Sequence, residues 1–329
     1  MVPGQPAPAA ELTPPGAGRS CLVASIAARL GSAREAGWIV EHAEAEVGRR
    51  CGHDREAADR SPDHRRIDST ARALADRRAA GEPLQYVLGH WQFRSLGLNV
   101  DPRVLIPRPE TEQVVQVALD QLELMSGGPR AGRGGGGPAG GPGSSRVCVD
   151  LGTGSGAIAL SLAVEGAADC RGLEVWATDR SADALEVAGD NLRALANSDG
   201  AAAGRVRLVG GSWFDALPSE LAGRVDLMVS NPPYVSESEY SRLEPVVRDW
   251  EPRGALVASS GAGGVGGIAA IETIIAGSRR WLRHSGCLVV EIAPSQAEAS
   301  VEAARRAGFG HVTTDFDLTG RQRMLVARN

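Results

Sequence analysis

The stretch Val147-Cys148-Val149-Asp150-Leu151-Gly152-Thr153-Gly154-Ser155-Gly156 constrains this chain more than any other. An apolar strand pattern runs into three alternating glycines, and a helical pattern then opens at Ala157 and continues through Ile158, Leu160, Leu162 and Ala163. Glycines let the backbone turn sharply and approach a ligand closely, and a helix N-terminus adds a positive partial charge. Strand, glycine turn and helix in that order open a doubly wound nucleotide-binding sheet. A second strand pattern, Leu173–Thr178, ends in Asp179, where an acid at the strand tip is placed to bind ribose hydroxyls. The glycines alone also fit a loose dinucleotide pattern, or a tight turn with no ligand at all. Asp179 weighs toward a ligand.

From Arg146 onward the patterns alternate between strand and helix. Strands are expected at Val206–Val209, Val225–Ser230 and Cys287–Ile292, helices at Ile268–Leu282 and Ser295–Ala307, and two closing strands at His311–Phe316 and Met324–Ala327. Such alternation implies an α/β, doubly wound, mainly parallel seven-stranded sheet covered on both faces. Ahead of it, Ser20–Ala80 reads as a small helical domain, with Leu22, Ile26 and Leu30, and then Ile39, Ala43 and Val47, at helical spacing. Within that domain the polar segment Arg49–Arg66 reads as a loop, and residues 1–19, rich in Pro, Ala and Gly, as a disordered tail. Residues 81–110 form a linker, in which Phe93–Val100 and Val104–Ile106 pair as a hairpin across Asp101-Pro102. Residues 111–329 form the sheet domain. Inside it the Gly/Pro-rich stretch 126–146 reads as a flexible insert, dispensable for folding.

The strand Val225–Ser230 ends in Asn231-Pro232-Pro233-Tyr234. Asn231 offers an amide that both accepts and donates hydrogen bonds. Two successive prolines remove two backbone donors and leave their carbonyls as acceptors. Tyr234 adds a flat aromatic face. Acceptors beside a stacking plate suit a planar group bearing an NH2, either a carboxamide or an exocyclic base amine. The competing reading is a proline-rich turn after a strand.

Taken together, Asp150-Leu151-Gly-Thr-Gly-Ser-Gly, then Asp179, then Asn-Pro-Pro-Tyr resembles a class I S-adenosylmethionine-dependent methyltransferase. Gly81–Gly89, Leu105–Glu112, Ser212-Trp213-Phe214, Glu291-Ile292, Gln296 and Gly320–Arg323 narrow the likeness to the release-factor glutamine methyltransferases, the PrmC/HemK family, from about Arg77 to the C-terminus. The chain departs from that family at Gly261–Val265 and at Ala293. The resemblance implies S-adenosylmethionine as cofactor, with Gly152, Thr153, Gly154, Ser155 and Gly156 against its methionine and ribose, Asp179 on the ribose hydroxyls, Trp213 beside the adenine and Asn231 also among the cofactor-binding residues. It implies Asn231, Pro232, Pro233 and Tyr234 as the substrate pocket, in which Asn231 and Pro232 accept the two hydrogens of the reacting NH2 and Tyr234 packs against its plane. The implied substrate is the glutamine of the Gly-Gly-Gln loop of peptide chain release factors; an adenine amino-methyltransferase acting on DNA or RNA shares the same pocket chemistry. Arg108, Glu110 and Glu112 either line the mouth of the site or form a helix start capped by Thr111.

Composition excludes other classes. A net charge of −5 argues against a broad nucleic-acid surface. All 35 basic residues are arginine, which leaves no lysine for a Walker loop or a Schiff base. The 5 cysteines are scattered without Cys-x-x-Cys spacing, and the histidines show no ligand spacing, so neither a disulfide framework nor a metal site is expected. No apolar run approaches the ~18–20 residues that span a bilayer, and Met1–Gly18 lacks the pattern of a signal peptide. A cytoplasmic monomer is expected.

Overall fold

A computed structural model describes residues 17–51, 61–126, 145–166, 172–258 and 267–329. The chain divides into two compact units, Met1–Leu88 and Gly89–Asn329.

The first unit is helical: α1 (Ala17–Leu30), α2 (Ala33–Cys51), α3 (Ser61–Ala79) and the short α4 (Leu84–Leu88). Leu22, Ile26, Ile39, Val40, Ala43, Ala71 and Leu74 meet in one core. The expected loop Arg49–Arg66 is corrected at both ends, because α2 runs to Cys51 and α3 already begins at Ser61. The charges that suggested a loop are the solvent face of α3, with His64, Arg65 and Arg66 exposed while Ile67, Ala71 and Leu74 pack inward. Ala17–Arg19, assigned to the tail, form the first turn of α1; the rest of the tail lies outside the described residues. Two ion pairs brace the unit, Arg78 Nε to Glu35 at 2.7 Å and Arg77 to Glu82 at 2.5 Å.

The second unit opens on a hairpin, β1 (His90–Phe93) and β2 (Leu96–Asn99), in which Phe93 pairs with Leu96. The expected pairing of Phe93–Val100 with Val104–Ile106 is therefore overturned. The true turn is Arg94-Ser95, and Arg94 supplies the positive φ of 49° that such a tight turn requires. Arginine is tolerated there because its side chain is anchored, pairing with Glu165 and donating to the Glu112 carbonyl and to Gln116.

Helix α5 (Pro109–Met125) starts with proline in its first turn, where a missing N–H costs nothing. Strand β3 (Ser145–Leu151), α6 (Ala157–Glu165), β4 (Gly172–Asp179), α7 (Ala182–Ser198), β5 (Val206–Gly210), β6 (Val225–Ser230), β7 (Leu282–Glu291), β8 (His311–Phe316) and β9 (Gln322–Arg328) follow. Seven of these strands form one sheet in the order β5-β4-β3-β6-β7-β9-β8. The pairings of β3 with β4 and β6, of β4 with β5, and of β6 with β7 are parallel; β9 runs antiparallel to both β7 and β8. The seven-stranded, mainly parallel α/β sheet read from the sequence is thus the fold observed. Ser145 and Arg146, assigned to the flexible insert, belong to β3; residues 127–144 of that insert lie outside the described residues.

Alternation sorts the strand residues onto two cores. Val147, Val149, Leu151, Met228, Leu288 and Val290 face the helices Ala269–Trp281 and Ala297–Arg306. Cys148, Leu227, Val229, Cys287 and Val289 face α5 and α6. Each fully buried Leu, Ile or Val contributes roughly 1.5–3 kcal/mol, so the sheet is held rigidly from both sides. The chain leaves β3 in one direction for β4 and β5 and returns on the other side for β6 and β7. The strand order reverses between β3 and β6, and a crevice opens beyond the C-terminal ends of strands at such a reversal. Among the described residues, no helix is long and apolar enough to cross a membrane, and no group of three or more His, Cys, Asp or Glu is placed to hold a metal ion.

Candidate active site

Strand register sets the site. Leu151 pairs with Ser230, and Ser230 pairs with Val290. The next residues along the three strands, Gly152, Asn231 and Glu291, therefore emerge side by side where the strand order reverses. Ser230 Oγ donates to the Leu151 carbonyl at 2.6 Å, which ties the two strand ends together.

The glycine loop adopts the conformation that only glycine holds at low cost: φ is 76° at Gly152, 55° at Gly154 and 85° at Gly156, the residue preceding α6. A side chain at Gly154 would project into open space, and one at Gly152 would meet only the Trp213 ring. The loop thus borders an open cradle with an indole over one side. Trp213 itself sits at φ 47°, uncommon for a non-glycine residue, and Thr178 Oγ1 donates to its carbonyl at 3.2 Å.

Asp179, at the tip of β4, accepts from Gly154 N and from Ser181 N, both at 2.9 Å. Its carboxylate joins the loop to the start of α7. One cleft is lined by Gly152, Thr153, Gly154, Ser155, Asp179, Trp213, Asn231 and Pro233. Nearly the whole sequence-derived constellation is therefore together. Gly156 caps α6 just behind the cleft; Pro232 is buried, and Tyr234 packs against the neighbouring core instead of forming the wall.

Three groups named in the sequence reading were given no role in the site. Asp150, one residue before the end of β3, is fully buried. Its Oδ2 accepts from Thr153 Oγ1 at 2.6 Å and from Ala159 N at 3.2 Å, while Oδ1 has no partner among the described residues. Burial pushes its pKa up to about 7, against the lowering effect of Thr153 and Ala159. Glu291 is also buried, and its pKa is likewise pushed up to about 7. Thr111, expected as a helix cap, lies within the first turn of α5 and caps nothing. Its hydroxyl instead donates to Glu291 Oε2 at 2.7 Å and accepts from Asn231 Nδ2 at 3.0 Å. The Tyr234 hydroxyl lies 3.4 Å from Glu291 Oε1, and burial beside that carboxylate raises its pKa.

Arg108, Glu110 and Glu112 do not line the cleft. Arg108 pairs with the buried Glu251, which also accepts from Ile106 N at 3.2 Å. Glu110 lies 3.7 Å from Arg321, and Glu112 accepts from Arg94 N at 3.0 Å. The cleft takes Arg103, Val104, Leu105 and Pro107 from the same segment.

The site offers a glycine cradle, an acid at the strand tip, an aromatic plate and an oriented amide. Those parts fit an adenosyl cofactor beside a planar NH2 group. Residues 142–247 match the model of the methyltransferase small domain. The chain is similar to the release factor glutamine methyltransferase of Bifidobacterium longum, at 39% identity over 78% of this chain and 79% of that protein. It is similar also to the release factor glutamine methyltransferase of Bordetella pertussis, at 38% identity over 82% of this chain and 86% of that one. Among solved structures it resembles the release factor-specific protein-(glutamine-N5) methyltransferase of Alicyclobacillus acidocaldarius, at 25% identity, covering 70% of this chain and 99% of that chain with a TM-score of 0.37.

Proposed function

This chain belongs to the release factor glutamine methyltransferase family, and from that premise we propose that it methylates the side-chain amide nitrogen of the glutamine in the Gly-Gly-Gln loop of peptide chain release factors, using S-adenosylmethionine. The observation that carries the reading is the orientation of Asn231. Its Nδ2 is committed to Thr111, so Oδ1 is the atom left to accept from a substrate in the cleft.

The cofactor supplies a methyl group on a sulfonium, open to in-line displacement. The glycine cradle Gly152–Gly156, Asp179 and Trp213 would hold it by its methionine, ribose and adenine. The remaining task is to make an amide nitrogen attack, although its lone pair is delocalised into the carbonyl. Asn231 Oδ1 and the Pro232 carbonyl accept its two hydrogens, which fixes the NH2 group with its lone pair on the methyl and stabilises the positive charge that develops on nitrogen. Tyr234, outside the cleft lining, anchors the Asn231–Tyr234 segment by packing its ring against the core. The cofactor would give its methyl group to this nitrogen and leave as the neutral thioether, and the surplus proton on nitrogen would leave to solvent. No strong general base is required before attack. The enzyme acts as a cytoplasmic monomer, and its helical first unit grips the release factor away from the loop.

Two changes test the assignment. Asn231→Ala retains cofactor binding and loses turnover by about a hundredfold or more. A release factor whose loop glutamine is replaced by glutamate accepts no methyl group, because the NH2 is gone. Methylation of that variant, or efficient transfer to adenine in DNA, overturns the proposal.

A further inference from the structure

Asn231 is useful only if its amide points one way, because an amide presents an acceptor at one end and a donor at the other. What sets the direction is a three-residue chain: Asn231 Nδ2 donates to Thr111 Oγ1 at 3.0 Å, and Thr111 Oγ1 donates to Glu291 Oε2 at 2.7 Å. A hydroxyl has a single hydrogen. While Glu291 is a carboxylate it can only accept, so the Thr111 hydrogen is drawn toward it. The face of Oγ1 turned to Asn231 then carries lone pairs, and only the NH2 end of Asn231 can meet them. Protonated Glu291 gains a donor. It can then give its hydrogen to Oγ1, releasing the Thr111 hydrogen toward Asn231, which meets it best with its carbonyl. The amide that faces the substrate is then an NH2, and two NH2 groups cannot pair.

We propose that Thr111 and Glu291 are positioning residues forming a polarity relay that holds Asn231 with its oxygen toward the substrate amide, and that protonation of Glu291 reverses the relay and switches the pocket off. The proposal rests on the function assigned above.

The surroundings of Glu291 place that protonation in an accessible range. Burial dominates and pushes its pKa up to about 7. Thr111 opposes this by donating from α5, and Arg323 opposes it from β9, although Arg323 shares its charge with Asp317 at 3.5 Å. Glu110, at the start of α5, acts in the same direction as burial, although Arg321 lies 3.7 Å from it. Tyr234, from the segment after β6, donates weakly to the other carboxylate oxygen. Among the described residues, no direct ion-pair partner neutralises Glu291 outright, as a bidentate arginine would.

The test measures kcat against pH with release factor and S-adenosylmethionine both saturating. For the native enzyme kcat falls below about pH 7, approaching tenfold per unit. Glu291→Gln, which cannot change protonation, gives a flat profile over the same range. Thr111→Val keeps the shape of the residue, removes the relay, and lowers kcat tenfold or more with cofactor affinity unchanged; Thr111→Ser restores it. A second readout needs no substrate: the Asn231 side-chain NH2 resonance of the full-length protein should titrate near pH 7 and stop titrating in Glu291→Gln. Native kcat in Thr111→Val, or an acid limb that survives in Glu291→Gln, overturns the relay. A resonance that titrates while no methyl group reaches the release factor leaves the relay standing and removes the substrate assignment instead.

Discussion

Gly267 lies directly against the carbonyl of Tyr234: a Cβ at Gly267 would stand 2.2 Å from that oxygen and 2.8 Å from its carbon. The same carbonyl accepts from Gln296 Nε2 at 2.9 Å. The end of the Asn231–Tyr234 segment is thus clamped between a bare backbone and a side-chain amide. Gly267→Ala must displace the segment, because the obstacle is backbone and cannot rotate away. Gly223 is the control, since it has a similar φ, 70° against 74°, with open space where its Cβ would stand. Gly223→Ala should cost only the left-handed penalty, about 1 kcal/mol. Gly267→Ala should melt lower than that control and lose most turnover while still binding cofactor in a calorimeter. Equal melting temperatures and turnover for the two variants would show that the clamp has no consequence.

A buried ion pair closes the opposite end of β3. Arg146, almost wholly inaccessible, donates to Asp226 Oδ1 at 2.8 Å, and Val147 N donates to Oδ2 at 2.8 Å. Arg283 Nε stands 3.0 Å from the same carboxylate, and Arg146 also reaches the Met125 carbonyl at 2.6 Å. Asp226→Ala leaves a guanidinium in the core without its counter-charge, at a cost of about 3–5 kcal/mol. The exposed pair of Arg193 and Asp190 is the comparison; Asp190→Ala should cost no more than about 0.5 kcal/mol. Urea titration of both variants checks the contrast, and a shift below 1 kcal/mol for Asp226→Ala would refute it.

The glycine cradle, Asp179 and Asn231 were legible because each stands at the end of a strand whose pattern is unmistakable. Continuous apolar runs mark the strands β3 and β6, which are buried on both faces, and the strand ends fix what faces the crevice. Thr111 and Glu291 were not legible as a unit, because the hydrogen bond between them joins positions 180 residues apart. The first reads locally as a cap and the second as part of a strand. The hairpin was misplaced for a different reason: Asp101-Pro102 carries the composition of a turn, while Arg94-Ser95 does not. The positive φ of Arg94 is sustained by its tertiary partners, chiefly Glu165 on α6. Arg146 read as insert because it is charged, and only its pairing with Asp226 on another strand lets it be buried.

Asp179 has a double assignment, and the two parts separate by mutation. Its carboxylate accepts from Gly154 N and Ser181 N within the protein, and it lines the cleft, where the proposed cofactor would bring its ribose hydroxyls. Asp179→Ala removes both and should weaken cofactor binding by about 1–3 kcal/mol. Asp179→Asn retains one acceptor oxygen for the loop and replaces the other with a donor, so its loss should be smaller. Calorimetry showing unchanged cofactor affinity in Asp179→Ala would remove this residue from the site.

Asp150 gives a signed prediction for stability against pH. Burial lifts its folded pKa from 3.8 to about 7. Between those values the folded protein keeps a proton that the unfolded chain has released, so the unfolded state binds fewer protons and stability falls as pH rises. The penalty is absent below the lower value and complete above the upper one. Glu291 shifts in the same direction, so the native melting curve alone cannot isolate Asp150. The difference between Asp150→Asn and the native protein can. Asparagine keeps an oxygen for Thr153 Oγ1 and Ala159 N and carries no charge to bury. The melting temperature of Asp150→Asn relative to native should therefore climb from about pH 4 to about pH 7 and then level off. A difference that stays constant across this range would mean that Asp150 does not hold its proton in the folded state, and one that declines would mean that the loop stabilises the carboxylate instead.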